Sequence, residues 1–143
     1  KLVRRPYQRT LLFVDDEKNL LAAMRRITRN KDYCVHVATT AEEAFEVLAT
    51  NEVGVILCDQ RMPGMSGTEF LARVKHLHPA SVRMVLSGYT DLQSVTDAVN
   101  HGEIFKFLTK PWDEGELFQA LTDAFRKYED DISKRLPYQA DAA

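Results

Sequence analysis

Four short stretches carry residue types able to do chemistry: Asp15-Asp16, Asp59, Ser87-Gly88 and Thr109-Lys110-Pro111. Each stands directly after an apolar run, so each reads as the end of a buried strand. Three carboxylates brought to one place repel, and ionising all of them is unfavourable unless a cation sits among them. Mg²⁺ suits such a place, because it takes hard oxygen ligands and combines one or two carboxylates with phosphate oxygens. An ammonium and a hydroxyl beside that ion would contact the remaining oxygens of a phosphoryl group. A carboxylate can itself attack phosphorus and form an acyl phosphate. Asp59 is the isolated acid, on the most apolar run, Val53 to Cys58, whereas the pair Asp15 and Asp16 is better suited to holding metal. The chemistry therefore points to phosphoryl transfer onto Asp59.

These residues can meet only if the elements before them lie side by side. Thr10 to Val14 is a short continuous apolar run, and Leu20, Leu21, Met24 and Ile27 follow at helical spacing. Cys34 to Ala38 alternates with period two. Thr40 and Glu43 resemble a capping box opening a helix through Ala44, Phe45, Val47 and Leu48. Val53 to Cys58 predicts a third strand. After the Pro63-Gly64 and Ser66-Gly67 breakers, Phe70, Leu71, Val74 and Leu77 form a helical stripe. Val82 to Leu86 predicts a fourth strand, and Asp91 a cap for a helix through Val95, Ala98 and Val99, ended by His101-Gly102. Ile104 to Leu108 predicts a fifth strand. A last helix carries Leu117, Phe118, Leu121 and Phe125 on one face.

Five strand-then-helix units with short connections imply a doubly wound parallel α/β sheet with helices on both faces. In such a sheet ligands bind outside the carboxyl ends of the strands, which is where all four stretches fall. The 143 residues suit one domain: a core over about 10–126, a basic extension over 1–9, and 127–143 as a helical extension or linker. With 45% hydrophobic and 28% charged residues, the composition is that of an ordinary globular protein. No apolar run approaches the roughly 20 residues that span a bilayer, and no secretory signal is evident, so no membrane association and a cytoplasmic location are expected. A net charge of -2 gives no electrostatic reason for direct nucleic-acid binding. Cys34 and Cys58 lie in strand-like runs as small hydrophobes.

Simpler readings compete at each position. Asp59 could be a solvated loop acid, but three other matching strand ends would then be accidents. Asp15 or Asp16 could cap the first helix, which is compatible with a metal role. His76 and His78 at this spacing do not share a helix face, so they read as a helix C-terminus and not as metal ligands. Phe105, Lys106 and Trp112 read either as a partner surface or, for Trp112, as a cover for the core.

The span from about Thr10 to Arg126 resembles the receiver domain of two-component response regulators. The resemblance rests on Phe13-Val14-Asp15-Asp16-Glu17, on Leu57 to Gly67 (LCDQRMPGMSG), on Leu86-Ser87-Gly88, and on Phe107 to Trp112 (FLTKPW), in this order. It implies a flavodoxin-like sheet of order 2-1-3-4-5. It further implies Asp59 as phosphoacceptor, with Asp15, Asp16, Asp59 and the backbone carbonyl of Arg61 as Mg²⁺ ligands. Lys110 would pair with the phosphoryl group, across a cis Lys110-Pro111 peptide. Ser87 would bond a phosphoryl oxygen, and Phe107 would be the aromatic that moves into the space Ser87 leaves. The output would be a repacking of the face made by the fourth helix, fifth strand and fifth helix.

Ser87 stands where threonine is frequent in this family, and Phe107 where tyrosine is commoner. Arg61 and Tyr89 occupy positions that tune dephosphorylation. The implied partners are a histidine kinase or phosphotransfer protein and an output domain absent from this chain, with a homodimer through the last helix as a further expectation. Details of the fourth and fifth strand ends resemble receivers joined to HD-type phosphodiesterases and those of hydrogenase-type transcriptional regulators. The chain would be a signalling switch and an enzyme only toward its own phosphorylation and dephosphorylation. A haloacid-dehalogenase-type phosphatase also pairs an attacking Asp with Mg²⁺, but it needs Asp-x-Asp on the first strand, and here the acids are adjacent.

Overall fold

The computed structural model describes residues 8–88 and 91–135. Tyr89, the N-terminal segment 1–7 and the tail 136–143 lie outside the described residues. Five strands alternate with five helices: β1 (Thr10–Val14), α1 (Lys18–Thr28), β2 (Cys34–Ala38), α2 (Ala41–Thr50), β3 (Val55–Asp59), α3 (Gly67–Leu77), β4 (Val82–Ser87), α4 (Leu92–Asn100), β5 (Lys106–Thr109) and α5 (Glu114–Arg135). All pairings are parallel and the order is β2-β1-β3-β4-β5, the predicted doubly wound sheet.

Two cores flank the sheet because strand side chains alternate between its faces. Leu11, Phe13, Val55 and Leu57 point to the side covered by α1 and α5, where Leu21, Met24, Leu117, Leu121 and Phe125 meet them. Leu12, Val14, Ile56 and Cys58 point to the side of α2, α3 and α4, against Leu48, Phe70, Val74 and Val95. β1 and β3 are buried throughout. That explains their unbroken apolar reading: a strand covered on both faces has no polar side to alternate with. Each fully buried Leu or Phe here contributes roughly 1.5–3 kcal/mol.

The helix ends depart from the sequence reading in instructive ways. Thr40 caps α2 as expected, its Oγ1 accepting from the Glu43 amide at 3.0 Å. The return bond from Glu43, however, is accepted from the amide and hydroxyl of Thr39. The complete capping box is at α3, where Ser66 and Glu69 bond each other's amides. Neither Asp15 nor Asp16 caps α1, whose N-cap is Glu17 with no side-chain bond. Asp91 does occupy the N-cap of α4, but its side chain makes no cap bond because Arg61 holds it. Gly102 ends the following turn with φ +74°, a conformation that costs glycine little. His78 is the C-cap of α3, in line with the helix-terminus reading of the histidines.

β5 begins two residues later than the apolar run, at Lys106, and β4 extends to Ser87. α5 runs on to Arg135, with Tyr128 buried in the core and Ile132 packed against it. Gly54 leaves room for this: a Cβ there would lie 3.0 Å from Tyr128 Cδ2 and 3.1 Å from Phe125 Cε1. Arg9, before β1, holds α5 from the same end through a two-pronged bond to Glu129 at 2.9 and 3.1 Å, its guanidinium 5.5 Å from the Phe125 ring centroid.

Candidate functional site

The parallel sheet delivers its strand ends to one edge, and backbone bonds fix the residues just past them. The Asp15 amide bonds Ala38 O, the Gln60 amide bonds Leu86 O, and the Lys110 amide bonds Ser87 O, each at 3.0 Å. Each functional segment is thus tied to the end of its neighbouring strand before its side chain makes any contact. Asp59 itself is the last residue of β3, aligned with Leu86, and Ser87 is the last of β4, aligned with Thr109.

Asp15, Asp16 and Asp59 converge so that one carboxylate oxygen from each lies within 4.8 Å of the others. Asp15 and Asp59 are buried, at 3% and 6% exposure, and Asp16 is exposed. Lys110 Nζ reaches into this group, 2.8 Å from Asp59 Oδ1 and 3.5 Å from Asp15 Oδ2, with Glu17 Oε1 at 4.0 Å. The Lys110-Pro111 peptide is cis. Ser87 is fully buried and its hydroxyl donates to Gly88 O at 3.0 Å. Phe107 is half-buried against the α2, α3 and α4 side of the core.

Burial sets the electrostatics. It pushes the Asp59 carboxyl above its ordinary range, although the Lys110 bond and charge and the Arg61 amide pull the other way. The same loss of water raises Asp15, helped by the charge of Asp59 and opposed by the Glu17 amide and Lys110. Burial disfavours the Lys110 ammonium, yet Asp59 and Asp15 outweigh it and hold the lysine above its usual value. One ammonium does not compensate the buried acids. The donor set is all oxygen and carries excess negative charge, so these residues fit a small hard cation better than zinc or copper.

The loop after Asp59 is built as firmly as the strand. The Gly67 amide donates to Gln60 O at 2.9 Å, and a Cβ on Gly67 would collide with the carbonyl oxygen of Asp59. Arg61 Nε reaches the Asp91 carboxylate at 3.1 and 3.2 Å, joining this loop to the start of α4. Gln60, Gly67 and Asp91 had no site role in the sequence reading. The Ser66-x-x-Glu69 pattern was a signal available for the loop end; nothing in the local sequence marks Asp91 as the partner of a residue thirty positions earlier. Trp112 packs half-buried against the core, which favours the covering role, and Lys106 pairs with Asp123 at 3.4 Å. Both cysteines are free, and Cys34 Sγ lies 3.9 Å from His36 Nε2.

An acid cluster, a lysine and a buried hydroxyl at the C-terminal edge of a five-stranded parallel sheet define a class, and comparison with known proteins agrees with it. Residues 11–122 match the response regulator receiver domain family. The chain is 42% identical over 117 residues to the hydrogenase transcriptional regulatory protein HoxA of Cupriavidus necator, covering 82% of this chain and 24% of that protein. It is 28% identical over 122 residues to the DNA-binding transcriptional regulator NtrC of Escherichia coli, covering 85% and 26%. Among solved structures, the signal receiver domain of an HD domain-containing protein from Pseudomonas fluorescens Pf-5 superposes with a TM-score of 0.85 at 32% identity, covering 93% of this chain and 96% of that one. This chain belongs to the response regulator receiver family, whose members are phosphorylation-dependent signalling switches. Both the hydrogenase-regulator and the HD-type resemblance recur among these relatives. The chain spans about a quarter of the length of the curated relatives it matches.

Proposed function

We propose that the chain accepts a phosphoryl group on Asp59 from a histidine kinase or phosphotransfer protein, and passes the change to an output domain. The observation that carries this reading is the 2.8 Å contact of Lys110 with Asp59 inside the Asp15, Asp16, Asp59 group. Asp15, Asp16, Asp59 and the Arg61 carbonyl would hold Mg²⁺, which supplies charge neutralisation for the transferring oxygens. The Lys110 bond and charge oppose the effect of burial on Asp59, favouring the carboxylate form whose Oδ lone pair attacks phosphorus. As the O–P bond forms, the P–N bond of the donor phosphohistidine breaks. Its electron pair stays on the ring nitrogen, and the imidazole leaves neutral if its other nitrogen is already protonated.

The chain's own residues would then read out the product. Lys110 Nζ is free to follow the new phosphoryl oxygens. The Ser87 hydroxyl, now spent on Gly88 O, would turn to one of them, opening space toward which half-buried Phe107 can move. Phe107 has no phenolic oxygen, so this switch works by packing alone. The repacked face would be that of α4, β5 and α5, a shift between two populated arrangements. No described helix is long and apolar enough to cross a membrane, and a cytoplasmic site of action is part of this reading.

Intact-mass measurement after incubation with Mg²⁺ and acetyl phosphate tests it. One added phosphoryl group is expected, lost in Asp59→Asn. An adduct that persists in Asp59→Asn would overturn the assignment, and so would no adduct on the unmutated chain.

A further inference from the structure

We propose that Gln60 is the positioning residue of the site: its carboxamide staples the loop carrying the Arg61 carbonyl onto the start of α3. The inference rests on the assignment of Asp59 and the Arg61 carbonyl above. Gln60 stands between those two residues and is buried, at 6% exposure. All four of its polar groups are committed. Its amide donates to Leu86 O at 3.0 Å and its carbonyl accepts from the Gly67 amide at 2.9 Å. Its Oε1 accepts from the Thr68 amide at 2.9 Å, and its Nε2 donates to Thr68 Oγ1 at 3.2 Å.

The first amides of a helix have no partner within the helix. In α3 the first two, Gly67 and Thr68, are both satisfied by Gln60, and the third, Glu69, by Ser66 Oγ. Residues 61–66 are therefore closed into a ring whose two ends meet at Gln60. Arg61 belongs to that ring and Asp59 is the residue just before Gln60. Ring closure removes the slack that would let either drift from the metal.

The residue type follows from the surroundings. Asparagine is a methylene too short for Thr68, and methionine would leave the Thr68 amide unpaired. Glutamate could accept from Thr68 but adds a further carboxylate on the residue next to Asp59. A neutral amide closes the loop without adding charge.

The test is Mg²⁺ binding by calorimetry on the 143-residue chain, with hydrogen exchange at the Thr68 amide in metal-free buffer. Gln60→Met is expected to weaken Mg²⁺ about tenfold, the usual effect of losing a supporting contact behind a metal ligand, and to speed exchange at Thr68. Gln60→Glu, which keeps the acceptor, is expected to bind Mg²⁺ at least as tightly as the unmutated chain. Should Gln60→Met not fold, Thr68→Val removes the Nε2 bond together with the 3.3 Å contact to Ser66 Oγ, keeps the Oε1 bond to the Thr68 amide, and is expected to weaken Mg²⁺ two- to threefold. Affinity within experimental error of the unmutated chain in the folded variant, or equal loss in Gln60→Met and Gln60→Glu, overturns the proposal. Because binding is read without phosphoryl transfer, a failure here is distinct from a failure of Asp59 to accept phosphate.

Discussion

Gly67 sits against the carbonyl of Asp59 so closely that even a methyl group on it would overlap that oxygen. The contact is backbone to backbone, and Gly67 is simultaneously bonded through its amide to Gln60 O. Neither side can yield without moving the residue that ends β3. Gly67→Ala is expected to destabilise the domain by roughly 1–3 kcal/mol, the cost of overpacking a tight site. Urea denaturation measures that, and acetyl phosphate labelling is expected to drop with it. A variant of unchanged stability would show that the loop gives way freely.

Asp59 and Asp15 are both held above the ordinary carboxyl range by burial. The folded chain then binds protons more tightly than the unfolded one, so in metal-free buffer stability falls as pH rises from the ordinary carboxyl value through the raised values of the folded state and is level above them. Asp59→Asn removes one such charge and is expected to raise the melting temperature at neutral pH without Mg²⁺. Added Mg²⁺ is expected to stabilise the unmutated chain, by about 1.4 kcal/mol at ten times its dissociation constant, and the Asn variant less. A thermal scan across pH with and without Mg²⁺ checks both signs.

Substituting Lys110 should act oppositely to substituting Asp59. Its ammonium is held above its usual value by Asp59 and Asp15, so its contribution is present at neutral pH and lost only as pH climbs through its raised value. Lys110→Ala leaves two buried acids without their cation, and a loss of roughly 1–3 kcal/mol is expected. If Lys110→Ala and Asp59→Asn move stability in the same direction, the electrostatic account is wrong.

Arg61 and Asp91 form an ion pair of a different kind. The Arg61 side chain is 70% exposed, so the pair is expected to contribute under about 1 kcal/mol in a double-mutant cycle by denaturation. The joined parts are the loop after the proposed phosphoacceptor and the start of α4, which belongs to the proposed switch face. Arg61→Ala is therefore expected to change the lifetime of the phosphorylated chain while leaving its melting temperature nearly unmoved, which timed mass spectrometry resolves.

Much of this architecture was legible because parallel strands buried on both faces are unbroken apolar runs, and the acids stop those runs abruptly at Val14 and Cys58. Asp59, Asp15, Asp16, Lys110 and Ser87 could be placed on one edge from that alone. Gln60 could not. A neutral amide beside an acid has no period and no charge pattern, and its partner Thr68 is defined only once the loop has closed. Asp91 looked like a cap because its position favours capping; a distant guanidinium took its carboxylate. The stretch after Arg126 was readable only as a helical extension or a linker; its burial was not, since Tyr128 packs into the core beside Gly54, seventy-four positions away in the chain. Local pattern specifies where strands stop, whereas side chains spent on tertiary partners are visible only in the fold.

α5 begins four residues after Lys110 and is gripped near its far end by Arg9, Gly54 and the core around Tyr128. Mechanically this is a beam bedded along the sheet by Leu117, Leu121 and Phe125 and clamped further on by Tyr128. At about 1.5 Å per residue its 22 residues extend roughly 33 Å. A beam bedded in this way moves as one piece, so a displacement at the Lys110 end would be carried toward Arg135 only together with the core beneath it.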